Sequence, residues 1–179
     1  MLEIQNTCLV VIDVQGKLAQ LMADKESLFK NIRILVQAAQ ILDIPILWCQ
    51  QVPESLGPTI PEIAELLAGE EPINKACFSC CGEERFTAEL NGLGKEQVLL
   101  CGIETHVCVY QTAMDLMEGG LDITIVADAV SSRTEQNRET ALDRLSAEGA
   151  NISSTEMVLF ELIKTSQHPQ FKQIARLVK

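Results

Sequence analysis

The stretch Gln97-Val98-Leu99-Leu100-Cys101-Gly102-Ile103-Glu104-Thr105-His106-Val107-Cys108 decides how the rest of the chain is read. It opens on an apolar run of strand length, Gln97 to Cys101, and turns at Gly102. A helix is predicted from about His106 to Met117, with Thr105 as its N-cap. Cys108 then falls in the first helical turn, where unpaired N–H groups and the positive end of the helix dipole favour a thiolate. A cysteine at the carboxyl end of a parallel strand is a good position for a nucleophile. The same position also suits a small buried cysteine, one of the most interior residue types.

Upstream, Thr7-Cys8-Leu9-Val10-Val11-Ile12-Asp13 is a continuous apolar run rich in branched residues, the signature of a central parallel strand covered on both faces. Asp13 ends it, as a helix cap or as a functional carboxylate at the sheet's carboxyl edge. Helical spacing follows from Ser27 to Leu42, and Asp43-Ile44-Pro45 breaks it. Ile46-Leu47-Trp48-Cys49-Gln50 is a second strand, completing a right-handed βαβ unit. Gln51 to Pro61 holds three prolines and a glycine, and reads as an ordered loop or lid. A short helix over Ile60–Leu67 and a brief edge strand, Pro72 to Lys75, come next.

A helix over Gly82–Leu93 precedes the Gln97 strand. Leu121 to Asp128 reads as a strand, Glu135 to Glu148 as a helix and Ala150 to Ser153 as a final short strand. Thr155–Ile163 and Pro169–Val178 close the chain as helices. Strand–helix alternation throughout predicts one α/β domain over residues 1–179. It takes the form of a three-layer α/β/α sandwich around a mostly parallel, Rossmann-like sheet of about six strands.

The 179 residues allow a substantial core, and the 47% hydrophobic fraction with 4% aromatics makes it mainly aliphatic. A formal net charge of −11 without a basic run argues against nucleic-acid and anionic-membrane partners. The N-terminal residues lack the basic start of a signal peptide, and no apolar run approaches about 18 residues, so a cytoplasmic protein is expected. The seven cysteines are an odd number, and several sit in apolar strands, which suits reduced thiols. Cys77-Phe78-Ser79-Cys80-Cys81 contains a C-x-x-C without the second pair that structural zinc requires. It reads as an oxidation-sensitive cluster near a pocket. Neither metal nor cofactor is expected.

Asp13 and Lys75 at strand ends, and Cys108 one turn into its helix, would share a crevice in an open parallel sheet. Such a trio suits nucleophilic chemistry, with a base to take the thiol proton and a cation to steady the thiolate. As bland alternatives, Asp13 is a cap and Lys75 a solvated charge.

The chain resembles the isochorismatase-like cysteine hydrolases, a superfamily that includes nicotinamidases and N-carbamoylsarcosine amidohydrolases. Its nearest likeness is to the isochorismatase domain-containing proteins of unsettled substrate. The matching stretches are Val11-Ile12-Asp13-Val14-Gln15, Leu56-Gly57-Pro58-Thr59-Ile60-Pro61-Glu62, and Lys75 with Phe78-Ser79. Gly102 to Val109, Ala127 to Arg133 and Ser154 to Glu161 continue the match.

The resemblance implies an Asp13–Lys75–Cys108 triad cleaving a small-molecule amide or related C–N bond through a covalent acyl-enzyme. It also implies a cis Ile103–Glu104 peptide, with the Glu104 and Cys108 backbone N–H groups as an oxyanion hole. Gln15, Gln50, Leu56, Phe78 and His106 are candidate pocket residues, and a homo-oligomer is expected. Nicotinamidases carry a histidine-containing metal site between the first helix and the lysine, but the two histidines here, His106 and His168, lie outside that region. Isochorismatase lacks the cysteine that Cys108 supplies. Two other readings stand beside the hydrolase: a catalytically silent binding or scaffold protein of the same fold, and a thiol redox protein using Cys108 with the Cys77–Cys81 cluster.

Overall fold

The computed structural model describes residues 1–179. Six strands, all parallel, form one sheet: β1 (Thr7–Ile12), β2 (Ile46–Gln51), β3 (Ile73–Lys75), β4 (Gln97–Ile103), β5 (Asp122–Ser131) and β6 (Asn151–Ser153), in the order β3-β2-β1-β4-β5-β6. The order reverses between β1 and β4, where a doubly wound sheet opens a crevice at its carboxyl edge.

Every residue of β1 is buried because each faces a helical layer. Leu9 and Val11 join one core with α2 (Lys25–Ile41), α8 (Thr155–Ile163) and α9 (Phe171–Leu177). Cys8, Val10 and Ile12 join the opposite core with α5 (Glu84–Leu93), α6 (Tyr110–Glu118) and α7 (Glu135–Ala147). These two cores make the three-layer sandwich. Trp48 lies in the first core, and its indole N–H donates to Thr59 Oγ1 at 2.8 Å.

Three local differences from the sequence reading have physical causes. The predicted helix at His106 begins instead with a wide π-type turn, Thr105–Val109, and α6 starts at Tyr110. Val109 N–H reaches back to Glu104 O at 3.2 Å, a longer loop than an α-turn closes. Thr105 is no N-cap: it is fully buried and its hydroxyl has no partner. β5 runs on past Asp128 to Ser131 because an irregularity opposite Leu100–Gly102 absorbs extra residues and lets pairing resume at Val130. The loop after β2 holds one helix beyond those expected, α3 (Pro53–Leu56), while the helix expected over Ile60–Leu67 forms as α4 (Pro61–Ala64) with a 3-10 turn after it. A proline begins each at a position that needs no N–H donor.

Candidate active site

Asp13 follows β1 in the left-handed region at φ 53°. The carboxylate is buried there and accepts from Lys75 Nζ at 2.7 Å through Oδ2. Lys75 ends β3, two strands away, so its side chain crosses the end of β2. Gln51 meets it there: Nζ donates to Gln51 Oε1 at 2.7 Å, to Phe78 O at 3.0 Å and to Cys77 O at 3.3 Å. The Lys75 side chain is 0% exposed and that of Asp13 3%. An ion pair so dry persists because its remaining donors are satisfied.

Two glycines bring the other parts in. A Cβ on Gly102 would lie 2.1 Å from Ile12 O, so glycine alone, at φ +118°, lets β4 pass the end of β1 and lead on to Glu104 and Cys108. A Cβ on Gly16 would lie 2.2 Å from Leu56 O, so glycine there admits α3. The Ile103–Glu104 peptide is cis. Glu104 N–H donates to no carbonyl, and Cys108 N–H reaches none outside its own turn.

These elements enclose a cavity of about 100 Å³. Leu18, Leu56, Phe78, Ile103 and Val107 form its apolar walls, and Asp13, Gln51, Glu104 and Cys108 its polar floor. No cation lines it.

Burial lifts the Asp13 carboxyl above the ordinary carboxylate range, outweighing the Lys75 ammonium beside it. For Lys75, burial pulls the other way, yet the charge of Asp13 and the nearby Cys80 and Cys108 sulfurs hold the ammonium above its ordinary value. Burial, then the Asp13 charge, push the Cys108 thiol well up against the opposing effect of Lys75. Burial and the Asp13 charge thus oppose the thiolate that a helix start would favour, and Cys108 lies in a π-turn rather than an α-helical first turn. No hydrogen bond reaches Asp13 Oδ1, and the Cys108 side chain lines the same cavity. The arrangement sets a thiol beside a proton acceptor more basic than a surface carboxylate.

Of the candidate pocket residues, Leu56 and Phe78 line the cavity and Gln15, Gln50 and His106 do not. Gln15 is a structural staple, fully buried, bonded to Gln51 O at 3.1 Å, Gly57 O at 2.7 Å and Gln51 N at 2.6 Å. Strand alternation turns Gln50 away from the face that Gln51 presents. His106 Nδ1 is paired with Ser132 Oγ at 2.9 Å. Gln51, Leu18 and Val107 were not among the sequence candidates, and Ile103 was named for the cis peptide and not for the pocket. Alternation at the end of β2 was a usable signal for Gln51, but nothing local marks Leu18.

The seven cysteines are all free thiols. Cys80 is fixed to α6 through its N–H to Thr112 Oγ1 at 2.9 Å. Burial pushes the Cys81 thiol up to about 11. No group of three or more His, Cys, Asp or Glu side chains is placed to hold a metal ion.

The sequence model of the isochorismatase domain matches residues 7–157. The chain belongs to the isochorismatase family. It is 38% identical to isochorismatase domain-containing protein 2A of Mus musculus over 98% of this chain and 84% of that protein. A solved structure from Caenorhabditis elegans, described as MAR1 ribonuclease, superposes with a TM-score of 0.93 at 37% identity, covering 99% of this chain and 91% of that one. The YcaC gene product of Escherichia coli, an octameric hydrolase of unknown specificity, gives 0.93 at 25% identity over 98% and 88%. For this isochorismatase-family chain, the crevice at the β1–β4 reversal is the candidate active site.

Proposed function

We propose that this protein is one metal-independent cysteine hydrolase domain that cleaves a small amide or related C–N bond. The observation carrying this reading is the buried Asp13–Lys75 ion pair, with Asp13 and Cys108 together on the floor of one cavity. With burial and the Asp13 charge disfavouring the thiolate, the Cys108 proton passes to Asp13 as the C–S bond forms. The Glu104 and Cys108 backbone N–H groups, without carbonyl partners outside their own turn, receive the developing oxyanion. Asp13 then protonates the departing nitrogen, leaving a thioester on Cys108. A water molecule loses a proton to Asp13 as it attacks the thioester, and the acid leaves while Cys108 recovers its thiol. Lys75 stays an ammonium throughout and keeps Asp13 in position.

The Caenorhabditis elegans relative is described as a ribonuclease. A phosphate backbone finds little here, with a net charge of −11 and no cation lining the cavity. A panel of small amides, read by ammonia release, tests the proposal. Turnover of at least one amide that disappears in Cys108→Ala is expected. Amide turnover surviving in Cys108→Ala, or RNA cleavage in place of any amide cleavage, overturns it.

A further inference from the structure

The cavity's hydrogen-bonding groups are unbalanced. Each side-chain amide or ammonium donor around it is already engaged within the protein. Lys75 Nζ holds Asp13, Gln51 and two backbone carbonyls, and Gln51 Nε2 donates to Ala76 O at 2.7 Å. Acceptors, by contrast, are left over. Asp13 Oδ1 is buried without a regular partner. Glu104 takes both bonds from Arg133 on Oε1, from the backbone N–H at 3.1 Å and Nε at 2.9 Å, and Oε2 takes none. The Glu104 side chain, 9% exposed, lines the cavity, and Oε2 is its oxygen without a partner inside the protein. Arg133, 57% exposed, stands behind it and does not line the space.

We propose that the Glu104 carboxylate, held from behind by Arg133, selects a small uncharged or cationic amide carrying an N–H group remote from the reacting carbonyl, and turns away carboxylates. This deepens the hydrolase reading and rests on it for the word substrate. Oε2 accepts the remote N–H, the backbone N–H groups take the amide carbonyl, and Asp13 lies against the reacting centre. An anionic group would meet two carboxylates whose cations, Lys75 and Arg133, do not line the cavity, and it would find no cation free to pair with it. Size narrows the class further. An apolar cavity of about 150 Å³ accepts benzene with its six non-hydrogen atoms, so about 100 Å³ here encloses on the order of four, the reacting carbonyl included. The smallest amino-substituted amides come nearest to this limit, with the rest of the chain reaching toward the mouth.

The test separates selection from turnover. The full-length protein is alkylated with iodoacetamide and with iodoacetate at mildly alkaline pH, and modification of Cys108 is followed by peptide mass spectrometry. Glutathione serves as the reference thiol. The iodoacetamide-to-iodoacetate rate ratio at Cys108 is expected to exceed that of glutathione by about tenfold or more. It should fall toward the glutathione value in Glu104→Gln, which keeps the backbone N–H. A wild-type ratio equal to or below that of glutathione overturns the proposal, whether or not the variant folds. So does an unchanged ratio in a folded Glu104→Gln protein. In parallel, ammonia release is measured for propionamide, 3-aminopropionamide and succinamate. Cleavage of succinamate in preference to the other two also overturns the selection. Absence of any cleavage, with the alkylation ratio high, removes the hydrolase reading and leaves the charge selection standing.

Discussion

Asp13 and Cys108 do not behave as their sequence positions suggest. Strand ends and family likeness pick out both residues, along with Lys75. Their protonation depends on burial, which a linear pattern does not contain. The dry surroundings make Asp13 a better base and Cys108 a poorer acid than a helix-start cysteine would be. Asp13→Asn removes the neighbouring negative charge and leaves Lys75 to act on the sulfur alone. We expect that variant to lose amide turnover yet to be alkylated faster by iodoacetamide at Cys108, an outcome that an inert scaffold would not combine. The raised Asp13 value also fixes the sign of the pH response. In the proposed mechanism Asp13 acts in its basic form, so kcat/KM is expected to be full above its folded pKa and to fall as pH drops through it. The acid midpoint should therefore lie above the ~3.9 of a free aspartate, as a pH–rate profile reads.

Among the elements, β1, β2, β4 and the long helices are legible because their apolar runs are continuous and their breaks are proline, glycine or aspartate. The boundaries that fail lie around the cavity. The π-turn at Thr105–Val109 has no composition signature, and its extra residue per turn is set by where Val109 must pack. The continuation of β5 past Asp128 depends on pairing with Gly102 and Ile103, which the β5 sequence does not display. Gln15 fits a pocket residue from its place after Asp13, but all three of its bonds are with backbone groups, two at Gln51 ending β2 and one at Gly57 in the loop beyond. Gly102 is the most exacting point of contact between elements. Gly102→Ala forces its methyl group into Ile12 O at a positive φ. A loss of about 2–4 kcal/mol in urea unfolding is expected. Activity should fall even at temperatures where the variant is folded, because β1 and β4 carry opposite halves of the site.

For the whole molecule, the doubly wound sheet follows from strand–helix alternation, while the strand order, and with it the meeting of residues 13, 75 and 108, is a property of the assembled sheet. The expected homo-oligomer has support in the octameric Escherichia coli relative. Val109 of the π-turn and Ala113 of α6 are fully buried within the chain's own core, so neither is free for subunit packing. Light scattering in solution should give a multiple of the 19.7 kDa chain mass, and a single-chain mass would refute assembly.

The lysine of the site hangs from the thinnest part of the sheet. β3 is a three-residue edge strand paired on one side alone, whereas Trp48 sits in its better-anchored neighbour β2. Fraying at an edge needs less free energy than global unfolding. Releasing β3 would open the Lys75 contacts while the rest of the fold stands. Rising urea should therefore silence the enzyme before the tryptophan fluorescence changes. Coincident curves would show instead that the rim and the interior melt as one unit.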